Sequence, residues 1–200
     1  MPDTPDKQTR GRPKTLKKEY VTDVAMRAYW AQGPTKVSLN AICQMAGVSK
    51  PSVYREFGND DGLAHAALAH YGDQVLSKML AITQSADSFP SKIRQIVQLV
   101  AEDELHEQGC LFVKMRAVKT QMGPETQELM GHIENMAFTA FSKVLREARA
   151  AGDWSGDIPD ELGAQYLQAQ IGLALDLRTR GQDPKATLAL ALSVFSVSGS

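Results

Sequence analysis

Two hundred residues with 43% apolar side chains and a formal net charge of −1 are enough for one or two compact domains with a real core. No apolar run reaches the roughly 18 residues of a membrane span, and the N-terminus lacks the apolar core of a signal peptide. Cys43 and Cys110 form no CxxC pair. They read as reduced thiols, so a cytoplasmic protein is expected.

In chain order, the first feature is a basic arm over residues 1–14, in which Lys7, Arg10, Arg12 and Lys14 are interleaved with Pro2, Pro5, Gly11 and Pro13. Such a composition cannot bury a core. Arg10-Gly11-Arg12-Pro13 is compact and cationic, suited either to a narrow minor groove or to a solvated tail. Residues 1–60 hold ten Lys and Arg against six acids, a net of +4, so residues 61–200 carry −5. A basic head on an acidic body suggests an anionic partner for the head.

A first helix is expected over residues 16–32, with Val21, Val24, Ala25, Ala28 and Tyr29 as its apolar stripe and Gly33-Pro34 as its stop. Residues 38–57 then read as two short helices around Gly47. Ser38 caps the first, and Ile42, Cys43 and Ala46 share its inner face. Gly47 suits a left-handed stop. Ser49 caps the second helix, and Pro51 sits in its first turn, where no intrahelical N–H is needed. Val53 and Phe57 face inward, leaving Lys50, Ser52, Tyr54, Arg55 and Glu56 outside or at the rim. This is the layout of a helix-turn-helix; the alternative is a helical hairpin with no DNA role.

The remainder reads as helices: from about 59 toward 83, from Pro90 along Ile93, Ile96, Val97 and Val100, a short one over 110–122, a long one from Pro124 to about 151, one over 160–180, and a last one to about 197. The helix over 160–180 carries two apolar stripes. Leu162, Tyr166, Ala169, Leu173 and Leu177 make one; Leu167, Ile171, Ala174 and Leu175 make the other. Two stripes imply burial on two sides, either in a two-fold four-helix interface with a second copy or in a single core.

The chain resembles the TetR family of bacterial transcriptional regulators. The resemblance rests on Gly11-Arg12-Pro13, Ser38-Leu39-x-x-Ile42, Ala46-Gly47-Val48-Ser49-Lys50, and Val53-Tyr54-x-x-Phe57 followed by Leu63. It covers about residues 11–68. It implies an all-α homodimer: a flexible arm (1–14), a three-helix DNA-binding head (15–62), and a helical ligand-binding and dimerisation body (63–200). By position it implies that Ser38, Lys50, Ser52, Tyr54 and Arg55 face DNA, with Arg10 and Arg12 of the arm added from composition. Tyr54 and Lys50 suit phosphates, whereas Ser52 and Arg55 suit base edges. Three positions depart from the family's habit. Pro51 offers no N–H to phosphate, Glu56 places an acid on the second helix, and Asp60 stands where a phosphate-binding lysine is common.

For the body, Phe112, Met115, Met122, Met136, Phe138 and Phe141 are candidates to line a pliable apolar pocket for an unidentified small-molecule effector; simple core packing is the alternative. Glu102 with His106, and Glu128 with His132, sit four apart, but no third ligand completes a metal site. No Gly-rich phosphate loop, nucleophile elbow or His-rich set is present, so no enzyme, cofactor or metal is expected. The expected function is sequence-specific binding of a double-stranded, palindromic operator by a repressor that an effector releases. A helical interaction module without DNA binding is the alternative, with a helical-bundle enzyme behind it.

Overall fold

The computed structural model describes residues 17–103, 106–154 and 156–195; every regular element among them is helical. The head holds α1 (Lys18–Gln32), α2 (Leu39–Ala46) and α3 (Lys50–Phe57). From it runs α4 (Asp60–Tyr71), which passes through a π-helical turn, Gly72–Leu76, into α5 (Ser77–Gln84). The body is completed by α6 (Phe89–Ala101), α7 (Leu111–Ala117), α8 (Pro124–Ala151), α9 (Asp160–Thr179) and α10 (Lys185–Leu192). The arm, with Arg10 and Arg12, lies outside the described residues, as does the last helix beyond residue 195.

The local signals set most of these boundaries. Ser38 Oγ accepts from the Ala41 N–H at 3.2 Å and Ser49 Oγ from the Ser52 N–H at 3.4 Å. Such caps are each worth about 1 kcal/mol. Gly47 takes the left-handed conformation, φ 64° and ψ 35°, and its N–H returns to the last carbonyls of α2. Val21, Ala25, Ile42, Val53, Leu63 and Ala67 are fully buried and join α1, α2, α3 and α4. Gly62 permits the close turn from α3 into α4, because a Cβ there would collide with the Phe57 carbonyl oxygen.

Two details add to the expected order. The helix expected from 59 to 83 continues from α4 into α5 through one π turn at Gly72–Leu76. The domain division expected at 62/63 falls inside α4, which packs on α1 in the head and on α8 in the body. In the body, α8 and α9 form the main antiparallel pair, and their connection is fastened by Arg149. Its guanidinium donates to the carbonyls of Gly156 (2.6 Å) and Ile158 (2.7 Å) and lies 4.5 Å from the ring centroid of the buried Trp154.

Candidate nucleic-acid interface and the cavity behind it

Helical periodicity divides α3. Val53 is fully buried and Phe57 half-buried, so Lys50, Tyr54, Arg55 and Glu56 project from the opposite side. Lys50 Nζ stands 5.2 Å from the Tyr54 ring centroid, and Tyr54 remains 37% exposed. Ser38 is exposed at the start of α2. Its oxygen accepts from Ala41, leaving its O–H free to donate to a phosphate. Ser52 is less available than its position suggests: it is half-buried, with its Oγ 2.9 Å from Ser49 Oγ. The acid on α3 has a partner that motif reading did not supply: Lys18 of α1 stands 3.5 Å from Glu56. Both are exposed and the pair is weak, but it offsets the repulsion Glu56 would direct at phosphate. Asp60 is exposed at the start of α4.

Asp61 sits in the first turn of α4, whose side-chain cap is Asn59, accepting from the Gly62 N–H at 2.8 Å. It reaches across to α8. The N–H groups of Glu125 (2.9 Å) and Thr126 (3.2 Å) and the Thr126 hydroxyl (2.6 Å) all donate to its carboxylate. Gly123 makes room, since a Cβ there would strike the Asp61 side chain. A second tie joins α1 to the segment around α7: Trp30 Nε1 donates to the Gly109 carbonyl (2.9 Å), and Lys114 Nζ to the Trp30 carbonyl (2.6 Å). Burial pushes the Lys114 pKa down.

Behind α7 lies an apolar cavity of about 100 Å³. Of the six expected lining residues, Phe112 and Phe141 line it. The helical faces explain the others. On α7, Phe112, Val113 and Arg116 face the cavity, so Met115 is turned into the core and fully buried. On α8, Ile133, Ala137 and Phe141 form the lining stripe at four-residue spacing. Met136 therefore faces outward, 50% exposed, and Phe138 packs half-buried outside the lining. Met122 lines a separate open cleft between head and body, of about 480 Å³, together with Ser38, Lys50, Asp60 and Asp61.

The lining also holds polar side chains, among them His106 and Arg116. His106 is buried, with Nδ1 3.1 Å from the Leu99 carbonyl oxygen, to which it donates. Burial lowers its pKa, so the ring is neutral near pH 7. Glu102 instead pairs with Lys185 at 3.0 Å. Among the described residues no three His, Cys, Asp or Glu side chains gather into a metal cluster. Cys110 is buried in the cavity wall, where its Sγ accepts from the Tyr71 hydroxyl at 3.2 Å and burial pushes the thiol pKa up. This is the environment of an inert packing thiol rather than a reactive one. Among the described residues no helix is long and apolar enough to cross a membrane.

Fold and site together define an all-α protein with a helix-turn-helix head on a helical body. Residues 21–67 match the family model for bacterial regulatory proteins, tetR family. A 72-residue stretch is 36% identical to the HTH-type transcriptional repressor ComR of Escherichia coli K12, covering 36% of this chain and about a third (34%) of that protein's length. The whole fold is similar to reduced E. coli NemR, with a TM-score of 0.78 at 19% identity over 92% of this chain and 99% of that one. It is also similar to a cysteine mutant of the TetR family regulator CifR complexed with 26-bp operator DNA, with a TM-score of 0.71 at 21% identity over 92% and 98% of the two chains. Residues 21–67 thus carry the sequence of a tetR-family regulatory head, and the chain as a whole shares the fold of these solved structures.

Proposed function

We propose that this protein is a sequence-specific DNA-binding transcriptional regulator, a repressor that acts as a cytoplasmic homodimer and leaves its operator when a small molecule enters the α7–α8 cavity. The observation that carries the reading is the outer face of α3. It is capped and seated on a buried Val53, and it presents Lys50, Tyr54 and Arg55 to solvent, with Ser38 at the neighbouring helix start. That arrangement sets a helix in the major groove, with Tyr54 and Lys50 on phosphates and Arg55 on a base edge. Arg10 and Arg12 of the arm supply the adjoining minor-groove contact.

Support for the dimer comes from the α9 stripe that holds Leu162 and Leu173, and from α10. Leu162 (56%), Leu173 (44%) and Leu190 (75%) stand exposed on a single chain. A second copy that buries this face also pairs the heads for a palindrome. For the effector response, the cavity wall is the same helix that holds the head: α7 lines the cavity with Phe112, Val113 and Arg116 and grips the end of α1 through Lys114. A ligand that shifts α7 against α8 therefore moves α1, and it moves α4 through Asp61, changing the spacing of the two heads.

An electrophoretic shift with the DNA flanking the protein's own gene tests the reading. Retardation that falls steeply with salt, and that is lost when both Lys50 and Arg55 are replaced by Ala, is the expected result. Retardation equal on any duplex of the same length overturns it.

A further inference from the structure

We infer that the cavity takes a compact single-ring carboxylate whose ring enters the apolar interior and whose anionic end stays at the mouth beside Arg116. This rests on reading the cavity as the effector site. Size sets the ring. A volume of about 100 Å³ is on the scale of the roughly 150 Å³ engineered cavity that admits benzene, so a polycyclic molecule is too large. Phe112 and Phe141 supply aromatic walls for one ring.

Charge sets the other end. Among the described residues that line the cavity there is no carboxylate, and Arg116 carries the one formal charge, His106 being neutral. No ion pair engages Arg116 among the described residues. Its guanidinium is nevertheless positioned: it lies 5.9 Å from the Phe112 ring centroid and against Gly172, where a Cβ would come within 2.9 Å of a terminal nitrogen. Glycine on α9 thus makes the seat for a planar cation between two helices. A planar guanidinium that lines a cavity can pair with a carboxylate through two parallel hydrogen bonds. Arg116 is exposed, so the preference for an anion weakens with salt. The same helix carries Lys114, which holds Trp30 of the head; binding at Arg116 is therefore applied directly to the element that positions the DNA-binding helices.

Isothermal titration with benzoate and with its uncharged isostere benzamide, at low ionic strength, tests the inference on the full chain. Wild type is expected to bind benzoate at least about tenfold more tightly than benzamide. Arg116→Gln is expected to erase that ratio and leave benzamide unchanged, and Ala137→Phe, which fills the cavity, to abolish both. Ring resonances of Phe112 and Phe141 in labelled wild-type protein locate the ligand should Ala137→Phe not fold. Equal affinity for the two molecules, or a ratio that survives Arg116→Gln, overturns the anionic class and leaves the cavity reading standing. Failure of both to bind wild type overturns the single-ring class. Binding that leaves Phe112 and Phe141 unperturbed overturns the cavity as the effector site.

Discussion

Replacing Asp61 by Ala removes the cap that the start of α4 gives to α8. Three donors converge on its carboxylate, at 2.6, 2.9 and 3.2 Å. Loss of an N-cap acceptor costs about 0.5–2 kcal/mol. Loss of a negative charge from a helix N-terminus costs about 0.3–1 kcal/mol. Thr126 is fully buried, and its hydroxyl, stranded without its best acceptor, adds about 1 kcal/mol or more. These contributions share atoms and do not add in full, so Asp61→Ala is expected to destabilise by about 2–3 kcal/mol. Asp61→Asn keeps one acceptor and is expected to cost about 1 kcal/mol. Urea unfolding followed by the fluorescence of the buried Trp154 measures both. A double-mutant cycle with Thr126→Val should return a coupling of about 1–2 kcal/mol. Because the contact joins head to body, the loss should also reduce the change in DNA affinity on effector binding. An Asp61→Ala protein within about 0.5 kcal/mol of wild type, with zero coupling to Thr126, refutes the cap and the head-to-body tie built on it.

Tyr54→Phe should weaken DNA binding about tenfold on every sequence, through one lost phosphate hydrogen bond. Arg55→Ala should instead relax selectivity at one base pair by about 1–3 kcal/mol, read in a fluorescence-anisotropy panel of single-base operator variants. Leu173→Glu with Leu190→Glu puts charges into the exposed face of α9 and α10. Analytical ultracentrifugation should then show monomers, with operator affinity reduced; an undiminished dimer places the interface elsewhere. His106 faces Asp103, Arg178 and Lys78, and its pKa is lowered in the fold, chiefly by burial. The unfolded chain therefore takes up the proton first, and stability should fall as pH drops below about 6.5. His106→Gln should flatten that part of a melting-temperature profile between pH 7 and 5, and an unchanged slope assigns the effect to other groups.

The head was legible because its signals are local. Ser38, Gly47, Ser49 and Pro51 act within three or four residues of themselves, and their geometry follows from their chemistry. What sequence missed depends on neighbours that only the fold supplies. Asp61 reads as a favourable charge for the start of its own helix, yet its partners are 64 and 65 residues away. Glu56 reads as a misplaced acid until Lys18 of α1 is beside it. The cavity was half legible. Aromatic and Met content pointed to the right helices, but the lining face is fixed by where α9 lies, so Met136 is outside while Ala137 is inside. Arg116 gave no signal, because a lone arginine on a short helix reads as a solvated charge. The pairing of Gly172 with it appears only when α7 and α9 meet.

Sequence-specific recognition by the α3 face is tested most directly by selecting binding sites from a random pool of duplex DNA with the purified protein, alongside a variant in which Lys50 and Arg55 are both Ala. The account predicts enrichment of a palindrome whose half-sites lie about one helical turn apart, roughly 34–36 Å, or a multiple of that, with no enrichment by the variant. A pool that remains random with the wild-type protein, or the same motif selected by the variant, contradicts it.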